Sequence, residues 1–318
     1  MTVLKRAENP GINRTPTFFY SSAREGMADL LAHAPEASRQ QTGVLLPRYI
    51  GWSPLEGSGV FDPVRESGRP FDFYALREDL SVDIDDLAAR LETGRFQFIV
   101  VIHYFGRTDT RIGQLRSLAD RYGALLVEDL AHGFFTAALG GGAGTWGDVS
   151  LYSLHKQFPL ADGGMAVYRD GSLLTNQAST RSELAEMVLQ YDWRAISMVR
   201  RQNFVKLTEL LLRLSNVGEG FSLLWPSLSE FDVPQSLPIL LQGSHRDRVY
   251  HAMNQQGYGM VSLYHTLIPE VGDSAGVLSE VSRRIINFPV HQDIEPRELS
   301  SIVHAFEAAI HSGLEDEA

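Results

Sequence analysis

The chain has 318 residues, 44% of them hydrophobic, and its 28 Lys and Arg stand against 39 Asp and Glu, for a formal net charge of −11. That length suffices for one large unit and one smaller unit, each with its own core. The acidic balance, without any basic run, argues against a nucleic-acid partner. The absence of cysteine removes disulfides and thiolate chemistry.

The opening MTVLKRAENPG has no apolar signal-peptide core. The longest apolar runs, Phe98 to Ile102 and Ala124 to Val127, are strand-sized, far from the roughly 20 residues of a membrane span. A cytoplasmic protein with no membrane contact is the expectation. Short apolar runs then alternate with helical spacing, the pattern of an α/β fold whose mostly parallel central sheet is covered by helices. Strands are expected at Gly43 to Leu46, Phe71 to Tyr74, Phe96 to His103, Ala124 to Asp129, Val149 to Leu154 and Met165 to Tyr168. Apolar residues at helical spacing predict helices over Ala23 to His33, Asp85 to Leu91 and Arg111 to Tyr122.

The pattern changes near Met198, where a long helix is predicted through Leu214, followed by a loop-rich stretch from Gly218 to Pro234. Strands at Leu237 to Leu241, Gly259 to Tyr264 and Ile285 to Phe288, with helices at Arg246 to Gln256 and Pro296 to His311, complete a smaller α+β unit. The expected division is residues 1–197 for the large unit and 198–318 for the small one. The acidic tail GLEDEA is expected to fray.

The chemistry concentrates between Val127 and Gly164. Asp129 ends an apolar strand beside Glu128, and successive strand residues face opposite ways, so only one of the two can enter a given site. His132 follows, then Ser153 and Lys156 after the next strand. A lysine between Leu154 and the apolar Phe158-Pro159-Leu160 is expected to be shielded from water, which favours a nucleophilic amine. An acidic group and such a lysine are what a pyridoxal phosphate site requires. The lysine holds the aldehyde as a Schiff base, and the carboxylate keeps the ring nitrogen protonated.

Asp162-Gly163-Gly164 would supply a tight turn behind the cofactor. Ser21-Ser22-Ala23-Arg24 opens a predicted helix, where hydroxyls and free N–H groups bind anions. Singly, each of these residues also has an ordinary role: Asp129 as a turn former, Lys156 as a snorkelling surface lysine, Ser22 as a plain N-cap with Glu25 in the first turn, His132 as a structural histidine. The run Leu139-Gly140-Gly141-Gly142-Ala143-Gly144 lacks the Lys-Ser/Thr pair of a P-loop and reads as a flexible loop. Neither HExxH nor GxSxG occurs, so neither a metal site nor the simplest hydrolase is supported.

Taken together, these residues resemble the DegT/DnrJ/EryC1/StrS family of fold-type I, pyridoxal-phosphate-dependent aminotransferases. The resemblance is carried by His103-Tyr104-Phe105-Gly106-Arg107 with Asp109, by Val127-Glu128-Asp129-Leu130-Ala131-His132, by Gly147-Asp148 and Tyr152-Ser153 through Lys156 to Asp162-Gly163-Gly164, and by Ile286-Asn287-Phe288-Pro289-Val290-His291-Gln292-Asp293. It implies Lys156 as the Schiff-base lysine, Asp129 at the pyridine nitrogen, His132 at the phenolic oxygen, Ser153, Ser22 and Ala23 near the phosphate, and Trp52 over the ring. It further implies a homodimer, with glutamate or glutamine as amino donor and a keto-sugar nucleotide as acceptor, in surface polysaccharide or natural-product biosynthesis.

The chain departs from the family pattern at three places. The phosphate motif is the divergent SSAREG, the Ser153-to-Lys156 segment is two residues short, and no N-x-R-M element follows the lysine. These departures keep open other pyridoxal phosphate chemistry of the dehydratase or decarboxylase type, and a cofactor-binding regulatory protein with little turnover. The basic cluster Arg194, Arg200, Arg201 with Asn203 lies where a substrate group would be sought, but reads as a solvated helix face.

Overall fold

A computed structural model describes residues 15–34, 41–174, 179–215, 220–243, 245–271 and 276–314. The opening segment 1–11, residues 218–219 of the loop-rich stretch and the last four residues of the acidic tail lie outside them.

In chain order the elements are β1 Thr17–Tyr20, α1 Ala23–His33, β2 Gly43–Pro47, α2 Phe61–Glu66, β3 Phe71–Tyr74, α3 Ile84–Leu91, β4 Phe96–Ile102, α4 Ile112–Tyr122, β5 Leu125–Asp129, α5 Phe134–Ala138, β6 Val149–Ser153 and β7 Gly164–Tyr168. They continue as α6 Leu184–Leu189, α7 Trp193–Ser215, β8 Phe221–Leu223, β9 Ser236–Leu241, α8 Arg246–Gln255, α9 Val277–Arg284, β10 Ile285–Pro289 and α10 Pro296–Leu314.

Seven strands form the main sheet in the order β1-β7-β6-β5-β4-β2-β3. Six run the same way. β7 pairs antiparallel with both β6 and β1 and is the reversed one. The expected mostly parallel α/β sheet is present. Every residue of β2 and β4 is buried, which explains the apolar runs Val44–Leu46 and Phe98–Ile102: a parallel sheet covered on both faces offers no solvent side. Fully burying each Val, Ile, Leu or Phe side chain stabilises the fold by roughly 1.5–3 kcal/mol.

Local chemistry sets the helix ends that matter here. Ser22 caps α1 by accepting from the Glu25 amide (3.1 Å), while Met27, Leu30 and Leu31 bury its inner face. Asp83 caps α3 through the Asp85 and Asp86 amides, and Gly123, at φ 65°, ends α4 in the left-handed conformation that glycine takes without strain.

The second sheet is antiparallel, β10-β9-β8. Its core joins Phe204, Leu207 and Leu211 of α7 to Leu237, Ile239, Phe288 and Phe306. α7 starts at Trp193 rather than Met198. Gly259 to Tyr264 is not a strand. Gly259 (φ 62°) and Tyr264 (φ 58°) turn the backbone out of extended geometry, leaving one bridge, Val261 to Asn287. No helix among the described residues is long and apolar enough to cross a membrane.

Candidate active site

The carboxyl ends of β4, β5 and β6, the first residue of β7 and the N-terminus of α1 converge at one edge of the main sheet. Ligands collect at such strand ends in open α/β sheets. A cavity of about 570 Å³ opens there, and its walls include Ser22, Ala23, Trp52, Asp129, His132, Ser153 and Lys156. Every cofactor-site residue read from the sequence lines this one cavity. A larger groove of about 860 Å³, along Arg194, Met198, Arg201, Val205 and Phe231, contains none of them.

Asp129 and Glu128 divide as strand alternation requires. Glu128 turns away from the cavity into a sealed pocket, where it meets His103 Nε2 at 2.8 Å with both side chains fully buried. The amides of Gly144 (2.7 Å), Trp146 (2.9 Å) and Gly147 also donate to its carboxylate. Burial opposes ionisation, but the His103 hydrogen bond and these amides outweigh it and hold the carboxyl below its usual range. The glycine-rich run is thus tied around an internal anion. His103 Nδ1 in turn accepts the Asp109 amide at 3.1 Å, so the His-x-x-x-x-x-Asp spacing orients the ring that holds Glu128.

Asp129 faces the cavity while 8% exposed, and its Oδ1 accepts the Ala131 amide at 2.7 Å. The turn-forming role and a place in the site therefore coexist. Burial raises its pKa, opposed by the Ala131 amide and by the charges of Lys156 and His103. His132 is buried with its ring 6.2 Å from Phe105 at an interplanar angle of 19°, and 5.9 Å from Tyr264 edge-on. Burial, with the Lys156 charge beside it, pushes its pKa well below the usual histidine value, so the ring is neutral.

Lys156 corrects an expectation: it is exposed, not shielded. A tight 3-10 turn, Leu154–Lys156, follows β6 directly, and Leu154 and Phe158 are buried beneath it in an aromatic cluster. His155 and Lys156 are left on the open side, lining the cavity. Ser153 keeps its place beside the turn, 3.4 Å from His155 Nδ1. Trp52 is half-buried at the opposite wall, its amide donating to Thr266 (3.0 Å).

Gly163 and Gly164 serve close backbone approach as well as turn shape. A Cβ on Gly164 would lie 2.1 Å from the Ser22 carbonyl carbon, and Gly163 adopts φ 138° while donating to Ser21 O at 2.8 Å. The glycine pair is what lets the α1 N-terminus sit against the strands that carry Ser153 and Lys156.

The basic cluster divides. Arg194 is exposed, whereas Arg200 and Asn203 are buried rather than solvated. Arg200 donates to the side chains of Gln292 (3.2 Å), Gln157 (3.3 Å) and Gln235 (3.3 Å), stacks on Phe135 (5.1 Å), and burial pushes its pKa down to about 10. Gln235 Nε2 donates to the Lys156 carbonyl (3.1 Å). The spacing of Arg200 with the buried Phe204, Leu207 and Leu211 already placed it on the inner stripe of its helix. Ser262, Tyr264 and His265 also line the cavity, unanticipated because their segment read as a strand. Among the described residues no cluster of three or more His, Asp or Glu is placed to hold a metal ion.

The model of the DegT/DnrJ/EryC1/StrS aminotransferase family matches residues 74–191, the stretch bearing Asp129, His132, Ser153 and Lys156. Over this segment, about a third of its length, the chain is similar to that family. Within it, GDP-perosamine synthase of Vibrio cholerae is 34% identical over 92 residues, which is 28% of this chain and 24% of that protein. The chain thus matches about a quarter of that relative's length. Among solved structures, Helicobacter pylori PseC, an aminotransferase of pseudaminic acid biosynthesis, superposes with a TM-score of 0.75 at 16% identity, covering 93% of this chain and 87% of that one. Bacillus subtilis NtdA, solved with bound cofactor PMP, gives 0.69 at 16% identity over 93% and 73%. These likenesses show a shared fold.

DegT/DnrJ/EryC1/StrS aminotransferases depend on pyridoxal phosphate. The residues present fit that group. The cavity offers an amine at Lys156, a buried carboxylate at Asp129 that makes no ion pair among the described residues, a neutral imidazole at His132, and a serine-capped helix N-terminus for a phosphate.

Proposed function

We propose that the chain is a pyridoxal-phosphate-dependent aminotransferase that moves an amino group from glutamate or glutamine to a keto acceptor of the keto-sugar nucleotide class. The observation that carries this reading is the meeting of Lys156, Asp129, His132 and the α1 N-terminus around one cavity.

Pyridoxal phosphate, when bound, supplies the electron sink that makes an amino acid's α-proton acidic. Lys156 would hold the cofactor, and its amine would move the proton at the donor's α-carbon. Asp129 would set the protonation of the cofactor's ring nitrogen, because a buried anion favours the charged form of a base beside it. His132, uncharged, would offer the cofactor a neutral hydrogen-bonding group without competing for that anion. Ser22, Ala23 and Ser153 would bind the phosphate with N–H and hydroxyl donors, and Trp52 would shield the cofactor from the cavity wall.

The acceptor class is supported by the sugar-nucleotide product in the name of the Vibrio relative. We read residues 1–197 as the cofactor-binding unit and 198–318 as the smaller unit, on the strength of the two separate sheets. The working form is a cytoplasmic homodimer, a reading supported by the exposed apolar Met198, Val205 and Phe231 around α7.

Protein loaded with pyridoxal phosphate and given glutamate without acceptor should release about one equivalent of 2-oxoglutarate per site. Release of no keto acid from glutamate, glutamine or any other amino acid would sink the transamination reading.

A further inference from the structure

We propose that the hydroxyl of Tyr264 is a hydrogen-bond donor to an anionic oxygen of the ligand in this cavity, a site group delivered by the C-terminal half of the chain. The inference rests on the cofactor reading above and adds a residue that lies outside the 74–191 segment.

Tyr264 holds φ 58°, a conformation a bulky residue adopts only when its surroundings enforce it. The enforcement is visible. Its carbonyl accepts the hydroxyls of Tyr49 (3.2 Å) and Ser282 (2.8 Å). The flanking chain is fastened on both sides, by Asn287 Nδ2 to the carbonyls of Val261 and Leu263, and by Trp52 and Ile268 backbone bonds to the opposite wall. Gly51 completes the fit, since a Cβ there would lie 3.1 Å from the Tyr264 ring.

This geometry directs the ring into the cluster of Tyr49 (5.4 Å, 21°), Tyr104 (5.1 Å), Phe105 (5.5 Å) and His132 (5.9 Å). The residue lines the cavity, close enough to Asp129 to feel its charge. Yet the phenol oxygen, unlike those of Tyr49, Tyr74 and Tyr104, has no hydrogen-bond partner among the described residues, and it is not sealed from the open space. Burial holds the phenol protonated far above neutral pH, so it can only donate or accept as a neutral group. Backbone strain and six anchoring bonds thus present one unspent donor to the ligand. The complementary ligand group is an anionic oxygen, which both pyridoxal phosphate and the amino donor carry.

Tyr264→Phe removes the donor and keeps the ring. Because the hydroxyl has no internal partner, the unliganded variant should melt with the wild type. A tenfold or greater rise in the dissociation constant for pyridoxal phosphate, read by absorbance titration, assigns the oxygen to the cofactor. An unchanged cofactor constant with a tenfold or greater rise in KM for glutamate assigns it to the donor. Unchanged cofactor affinity, KM and kcat overturn the proposal, as does a lowered melting point of the unliganded variant with no loss of binding. A wild type that takes up no pyridoxal phosphate defeats the cofactor reading instead, so the two failures are distinct.

Discussion

Replacing Asp129 with Asn is expected to lower kcat by roughly 10- to 10³-fold while the fold is kept, the range set by an anion that moves a neighbouring base by about one to three pKa units. Asn is the informative choice because its side-chain oxygen still accepts the Ala131 amide, now at 2.7 Å from Oδ1, so the turn after β5 survives. What disappears is the charge at the buried strand end. Single-turnover rates with glutamate, measured beside circular-dichroism melting curves, separate the two effects. A variant that melts like wild type and turns over like wild type would contradict the role given to Asp129.

Glu128→Gln should have the opposite signature, a loss of stability first. The carboxylate is the common acceptor for His103 Nε2 and three amides, Gly144, Trp146 and Gly147. An amide side chain offers one oxygen, and its NH₂ faces donors. Breaking one partner of a buried pair costs about 3–5 kcal/mol, which for a chain of this size lowers Tm by roughly 4–8 °C. The pH dependence follows from the direction of the shift. The folded-state pKa lies below the ordinary 4.5, so this stabilisation is fully present above pH 4.5 and is lost as pH falls through the lower folded value. Wild type should therefore shed stability in acid more steeply than Glu128→Gln. Equal Tm values at neutral pH, or parallel acid profiles, would show that the pair is not structural.

The sequence disclosed the parts of this molecule where physics acts locally. β4 has both faces covered, and so Phe98 to Ile102 declares itself as an apolar run; α1 carries a buried stripe within eleven residues behind its Ser22 cap, and its limits Ala23–His33 match those expected. β1 escaped because TFFY is a short edge strand, buried only at Tyr20, and its pairing partner β7 lies far along the chain. α5, five residues between Gly133 and Leu139, is too short for helical spacing to register.

The candidate site shows the same division. Asp129, His132, Ser153 and Lys156 follow from strand ends and their order, which topology turns into proximity. The exposure of Lys156 was misread because neighbouring apolar residues were taken to surround it. In a 3-10 turn they fall on the far side. Tyr264 had no local signal, since its position depends on a left-handed backbone imposed by Tyr49, Ser282 and Asn287 from distant segments. Arg200 did have one, a charged residue in register with Phe204, Leu207 and Leu211, set aside because basic residues at a helix start are usually solvated.

The most direct measurement reduces the pyridoxal-phosphate-loaded protein with borohydride and maps the modified peptide by mass spectrometry. Covalent cofactor on Lys156 alone, with no labelling in Lys156→Ala, is the predicted result. Labelling of another lysine, or undiminished labelling in Lys156→Ala, would contradict the assignment of this cavity as the cofactor site.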